Sequence, residues 1–169
     1  MILETNRLIL SKIEMEDAEF FLELLNTPDR IKYIGDRNVR TIEDARTYIK
    51  DRVLEQYKTQ GFGYYKIQLK SDRLKPIGTC GLLRRDELEH PDIGFTLLPE
   101  YYRKGYAYEA VKALLQFLKT DFKILKVYAI TLEENIASIA LLKKLGLSFQ
   151  KTVKPFEDDE ELLLFAKDL

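Results

Sequence analysis

Nucleophiles and metal ligands are scarce in this chain, whose 169 residues include one cysteine, Cys80, and one histidine, His90. A single cysteine excludes an internal disulfide framework and suits a reducing compartment. With so few thiol and imidazole groups, no metal is expected, and a covalent nucleophile is not an evident basis for chemistry. Net charge is missing too: the formal value of −1 gives no overall pull towards nucleic acid, while leaving room for a local basic pocket. No window approaches the roughly eighteen apolar residues of a membrane span. Met1-Ile2-Leu3-Glu4 lacks the basic region and long apolar core of a signal peptide. The expected location is cytoplasmic, with neither a membrane nor a nucleic-acid partner. Ser/Gly-rich linkers, low-complexity tracts and internal repeats are also absent, so a single domain over residues 1–169 is expected.

Hydrophobic content of 46% and charged content of 33% exclude disorder as the default state. Residues 2–12 alternate loosely and read as a strand. Ala18, Phe21, Leu22 and Leu25 mark a helix ending before Pro28. Thr41-Ile42-Glu43-Asp44 offers an N-cap with an acidic first turn for a second helix through Val53. Strands follow at 64–69, 76–82 and 93–98, then a helix, a strand, a helix and two β-prone runs near 148–154 and 160–167. The predicted order is β-α-α-β-β-β-α-β-α-β-β, an α/β (α+β) fold.

The densest information lies in Leu98-Pro99-Glu100-Tyr101-Tyr102-Arg103-Lys104-Gly105-Tyr106-Ala107-Tyr108-Glu109-Ala110. A basic, glycine-containing turn separates an apolar strand from a helix with Ala107, Ala110, Val111, Leu114, Leu115 and Leu118 on one face. Such a turn aims the free N–H groups and the positive dipole end of the helix into a crevice, which is how phosphates are bound. The backbone N–H groups of Arg103, Lys104, Gly105, Tyr106, Ala107 and Tyr108 are the candidate donors. Neither a Walker loop nor the Gly-x-Gly-x-x-Gly fingerprint is present.

This turn resembles the acyl-CoA pyrophosphate loop of the GNAT acetyltransferase superfamily, Gln/Arg-x-x-Gly-x-Gly/Ala. Gly105 and Ala107 match, and Tyr102 replaces the first residue, as in the Rim-type branch that contains ribosomal-protein N-terminal acetyltransferases. The likeness continues in order along the chain. Leu3 to Leu10 is similar to the family's opening strand and Pro76 to Leu82 to its third. Asp92-Ile93-Gly94-Phe95 is similar to its Glu-Ile-Gly-Tyr segment. Asn135-Ile136-Ala137-Ser138, leading to Leu145-Gly146-Leu147, is similar to its second signature. The resemblance implies the GNAT fold, a mostly antiparallel mixed sheet of about seven strands flanked by about four helices. It also implies acetyl-CoA as co-substrate and direct transfer to a primary amine, either a small-molecule amine or a protein N-terminus. Family members often form a homodimer, although no segment here encodes such a contact.

By the same resemblance, the backbone of Leu97 and Leu98 pairs with the pantetheine arm, Asn135 contacts pantetheine, and Ser138 protonates the departing thiolate. The tyrosine that many members use as that acid is replaced by Leu142. Asn135 and Ser138 also fit N-cap and N3 positions, so plain capping is the competing reading. Asp92 occupies the place of a glutamate base. It either accepts the amine proton through a water or caps a strand start. His90 is an alternative base, or an incidental loop residue. Cys80 reads as a buried thiol, Tyr33, Tyr57, Tyr64 and Tyr65 as slot or core aromatics, and Glu157–Glu161 as a solvated hairpin loop or, alternatively, a surface that attracts a cationic acceptor. Two other functional readings compete: a non-catalytic acyl-CoA-binding or sensing module, and a nucleotide-binding turn.

Overall fold

Period-2 runs and amphipathic helices assemble here into one mixed sheet with packed helices; the computed structural model describes residues 1–169. The strands are β1 (Leu3–Glu4), β2 (Leu8–Lys12), β3 (Tyr64–Leu69), β4 (Lys75–Leu83), β5 (Asp92–Leu97), β6 (Lys126–Thr131), β7 (Ser148–Val153) and β8 (Leu162–Asp168). The helices are α1 (Ala18–Leu25), α2 (Pro28–Tyr33), α3 (Ile42–Tyr48), α4 (Glu55–Gln60), α5 (Tyr106–Asp121) and α6 (Ile136–Lys144). The sheet order is β1-β2-β3-β4-β5-β6-β8-β7, and every pairing is antiparallel except β5–β6. This is an α/β GNAT fold with eight strands rather than about seven.

The differences from expectation have local causes. The opening strand splits because Thr5 folds the chain back: its hydroxyl accepts from Leu8 N at 3.0 Å, and Leu3 then pairs with Leu10. Proline at 28 does not only end α1. It occupies the first turn of α2, where its missing N–H has no partner to lose. The second helix runs past Val53 through a π-helical segment, Ile49–Leu54, into α4. It stops at Gly61, whose φ of +77° places it in the left-handed region. Thr41 caps α3 as expected, its Oγ1 accepting from Asp44 N at 3.1 Å.

The core is continuous from Leu8 and Leu10 through Ile67 and Cys80 to Leu114 and Leu118. The expected face of α5 is the buried one, with Ala110, Val111, Leu114 and Leu118 at 0% exposure. This anchors α5 against the sheet and thereby holds its N-terminus still.

Candidate active site

Adjacent parallel strands β5 and β6 share a single registered pair, Asp92 with Tyr128. The β6-facing edge of β5 beyond Asp92 has no ladder partner, leaving backbone groups that an extended amide chain can pair with. Leu97 and Leu98 lie at the open end of this wedge. Their side chains are buried in the core at 6% and 1% exposure. The expected backbone role of Leu98 is not open to it, because its N–H donates to Ile77 O at 2.8 Å and its carbonyl accepts from Tyr101 N at 3.0 Å; Leu97 alone keeps a free backbone edge. α5 and α6 each begin beyond the C-terminal end of one of the two strands.

The turn into α5 is built to leave amides free. Arg103 (φ +59°) and Gly105 (φ +79°) both adopt left-handed backbone, and Gly105 is an N-cap without a capping side chain. None of the six N–H groups from Arg103 to Tyr108 donates to an acceptor in the protein; the first that does is Glu109 N, to Gly105 O at 3.1 Å. α3 and α6 are capped by Thr41 and Asn135. Six successive open donors at a helix start form an anion cradle.

Arg7, which the sequence reading did not single out, braces the cradle. Its Nη1 donates to Lys104 O at 3.0 Å, its Nε to Glu109 Oε2 at 2.6 Å, and its Cζ lies 4.5 Å from the Tyr106 ring centroid. Glu109 also accepts from Thr5 Oγ1 at 2.6 Å and Arg7 N at 2.8 Å. Partial burial pushes the Glu109 carboxyl up, but these hydrogen bonds outweigh it and hold the group below its ordinary value. Tyr106 is occupied by Arg7, and Lys144 Nζ lies 4.5 Å from the Tyr108 ring centroid. Lys104 and Arg103 are exposed on the turn.

Asn135 caps α6, its Oδ1 accepting from Ser138 N at 3.2 Å. The capping reading is therefore realised, and it consumes only that oxygen. The Asn135 amide nitrogen and the half-buried Ser138 hydroxyl make no hydrogen bond in the protein. Leu142 is core, at 1% exposure.

Asp92 sits at the closed end of the wedge with 3% exposure. Arg85, another residue absent from the sequence reading, donates through Nε to Asp92 Oδ1 at 2.8 Å. Burial pushes the Asp92 carboxyl up to about 6, against the lowering influence of Arg85. Arg85 in turn lies 5.3 Å from the ring of Phe156, in the β7–β8 loop that carries Glu157–Glu161. Tyr64 crosses the sheet towards this point over two glycines. A Cβ on Gly81 would stand 2.4 Å from the Tyr64 Cα, and one on Gly94 would stand 2.3 Å from the Tyr64 hydroxyl. Burial first, and then the charge of Asp92, raise the Tyr64 hydroxyl above its ordinary range, keeping it a neutral donor.

The other candidates have different surroundings. His90 packs edge-on at 5.0 Å against Tyr128, the β6 residue in register with Asp92, and makes no hydrogen bond to the Asp92 carboxylate. Cys80 is fully buried, and burial pushes its thiol up and away from reactivity. Tyr57 and Tyr65 stack in the core at 5.9 Å. No group of three or more His, Cys, Asp or Glu side chains is arranged to hold a metal ion. No helix is long and apolar enough to cross a membrane.

The sequence pattern described as the acetyltransferase (GNAT) domain matches residues 7–148. The uncharacterized N-acetyltransferase YoaA of Bacillus subtilis (strain 168) is 30% identical over 151 residues, 89% of this chain and 83% of that protein. Among solved structures, an acetyltransferase (GNAT family) from Bacillus anthracis superimposes with a TM-score of 0.80 at 24% identity, covering 98% of this chain and 97% of that one. The microcin C7 self-immunity acetyltransferase MccE, crystallised with acetyl-CoA and AMP, superimposes with a TM-score of 0.82 at 17% identity, over 98% and 94% of the two chains. At these identities the two structures share the fold with this chain.

Proposed function

This chain belongs to the acetyltransferase (GNAT) domain family, and we propose from that premise that it transfers acetyl from acetyl-CoA directly to a primary amine. The observation that carries the proposal is the row of six open amides, Arg103 to Tyr108, beside a parallel strand pair that parts after one registered position. The amides and the α5 dipole hold the diphosphate. The free edge of β5 at Leu97 pairs with the pantetheine amides, and the Asn135 side-chain nitrogen donates to the same arm. Acetyl-CoA supplies the acyl group as a thioester; the bond made joins the amine nitrogen to the acyl carbon, and the bond broken is carbon–sulfur.

Asp92 takes a proton from the incoming ammonium through a water, leaving the nitrogen lone pair free to attack. A carboxyl held near 6 is an acceptor in its ionised form at neutral pH. A β5 N–H donates to the carbonyl oxygen as charge develops there. Ser138 gives its hydroxyl proton to the departing thiolate and is reprotonated through solvent, which also takes the second proton that the nitrogen sheds as the amide forms. Tyr102 and Ser138 support placement beside the Rim-type branch, with a protein N-terminus or a small molecule as the amine.

Calorimetry tests the cofactor assignment. Wild-type protein binds acetyl-CoA in preference to ATP or NAD, and Gly105→Glu abolishes that binding. ATP or NAD winning, or Gly105→Glu binding normally, overturns the cradle. Thiol release in an amine and peptide panel tests the chemistry, with Asp92→Ala and Ser138→Ala each lowering kcat by ~100-fold or more. Tight acetyl-CoA binding without release for any acceptor would instead make this a binding module.

A further inference from the structure

Of the two buried cations, Lys66 and Arg30, only Lys66 has a carboxylate partner. Lys66 Nζ meets Asp17 at 2.8 Å, and Arg85 meets Asp92 at 2.8 Å. Arg30, 8% exposed on α2, has no carboxylate partner; its charged head donates through Nη1 to Gly35 O at 3.2 Å. The groups around it are the Tyr48 hydroxyl, within hydrogen-bonding reach, the Tyr64 hydroxyl, and a second cation, Arg37. Burial pulls the Arg30 value down, as expected of a cation removed from water without a counter-ion.

The location is specific. The Tyr64 hydroxyl lies over Gly94 and shares its surroundings with both Asp92 and Arg30. One residue before Arg30, Asp29 is a charged neighbour of the Tyr102 hydroxyl, at the edge of the turn that carries the open amides. Arg30 and Asp92 are thus both neighbours of the Tyr64 hydroxyl over β5, which puts Arg30 on the acceptor side of the proposed transfer.

We propose that Arg30 is the recognition point for an anionic group on the acceptor, so that the substrate is a primary amine bearing a nearby carboxylate or phosphate. This rests on the acetyl-transfer reading. A guanidinium presents a planar fork that pairs with carboxylate or phosphate through two hydrogen bonds. The flanking tyrosine hydroxyls add neutral donors, and Arg37 adds further positive potential at the rim. Asp92, at the other side of Tyr64, is left to meet the ammonium. The acidic run Glu157–Glu161 is exposed to solvent, where its attraction for a cationic acceptor is screened.

The test uses matched acceptors with and without the anion: 4-aminobutyrate against its amide, O-phosphoethanolamine against ethanolamine, putrescine, and tetrapeptides with Asp or Asn in second place. Thiol release is measured with acetyl-CoA. The anionic member of at least one pair is expected to show kcat/KM about tenfold or more above its neutral partner, from KM, as a charged hydrogen-bonded pair provides. The pair that responds identifies whether a carboxylate, a phosphate or a polypeptide N-terminus is the source. Arg30→Gln removes that preference, Arg30→Lys retains part of it, and both keep the wild-type affinity for acetyl-CoA. The ligand-free Arg30→Gln protein melts no lower than wild type, because an unpaired buried charge is gone. Equal use of neutral amines, preference for putrescine, weakened acetyl-CoA binding in Arg30→Gln, or a lowered melting temperature each overturns the assignment. Thermal shift of the CoA-bound protein by the same compounds reads recognition separately from turnover. Saturable, Arg30-dependent stabilisation by the anionic members without thiol release sinks acetyl transfer but keeps the anion site, and no stabilisation without turnover sinks the anion site.

Discussion

Asp92 is the residue whose environment decides most. An aspartate in water ionises near 3.8, and burial here moves it to about 6 in spite of Arg85. In the proposed reaction the ionised form is the base, so kcat/KM is expected to rise with pH through about 6, and Asp92→Asn to remove that limb from the profile. Stability runs the other way. The folded state holds the proton more tightly than the unfolded chain, so the contribution is complete below about 3.8 and is lost as pH rises through about 6. The melting temperature of wild type relative to Asp92→Asn should therefore fall across that interval, as calorimetry at a series of pH values would show. A flat difference would mean that Asp92 is not protonated in the folded protein at pH 5. The sequence marked Asp92 by its place before Ile93-Gly94-Phe95. Its raised value was not legible, because burial and Arg85 are set by how β4 and β5 pair.

At the scale of elements, the turn into α5 was legible in full, since the helix face, the glycine and the basic pair lie within a dozen residues. Its bracing was not. Arg7 and Glu109 stand 102 positions apart, and only the packing of β2 against α5 brings them together. Replacing Arg7 by alanine releases Lys104 O and leaves Glu109 with fewer donors, at a partly solvated pair worth about 1 kcal/mol. The expected result is a several-fold weaker acetyl-CoA affinity with a small loss of stability, read by calorimetry and urea titration together. Unchanged affinity would show that the turn holds its shape alone. α2 was missed for a related reason: Pro28 is a helix stop when read forwards and a helix start when read backwards. Its six residues carry too little periodicity to choose.

For the whole molecule, the buried pair Lys66–Asp17 ties the sheet to the turn that opens α1, with side chains 11% and 12% exposed. Removing one partner leaves the other charged and desolvated, so Lys66→Met is expected to lose about 3–5 kcal/mol in denaturant unfolding. The double variant Lys66→Met/Asp17→Leu should recover most of this. If the single variant unfolds like wild type, the pair is not holding the two layers together. Neither residue stood out in the sequence, because a lysine and an aspartate 49 positions apart carry no mark of their meeting.

The amino-acid sequence by itself determined the buried face of α5, the Thr41 and Asn135 caps, the glycine-containing turn before α5 and the run of elements from β3 to β6. Each of these depends on neighbours within one or two turns of chain, where periodicity and backbone preference act directly. The tertiary structure alone decided that β8 inserts between β6 and β7, that β5 and β6 part after one pair, and which charges are matched. Arg85 with Asp92, Arg7 with Glu109 and Arg30 without a carboxylate are outcomes of long-range packing, and burial gives them their energy.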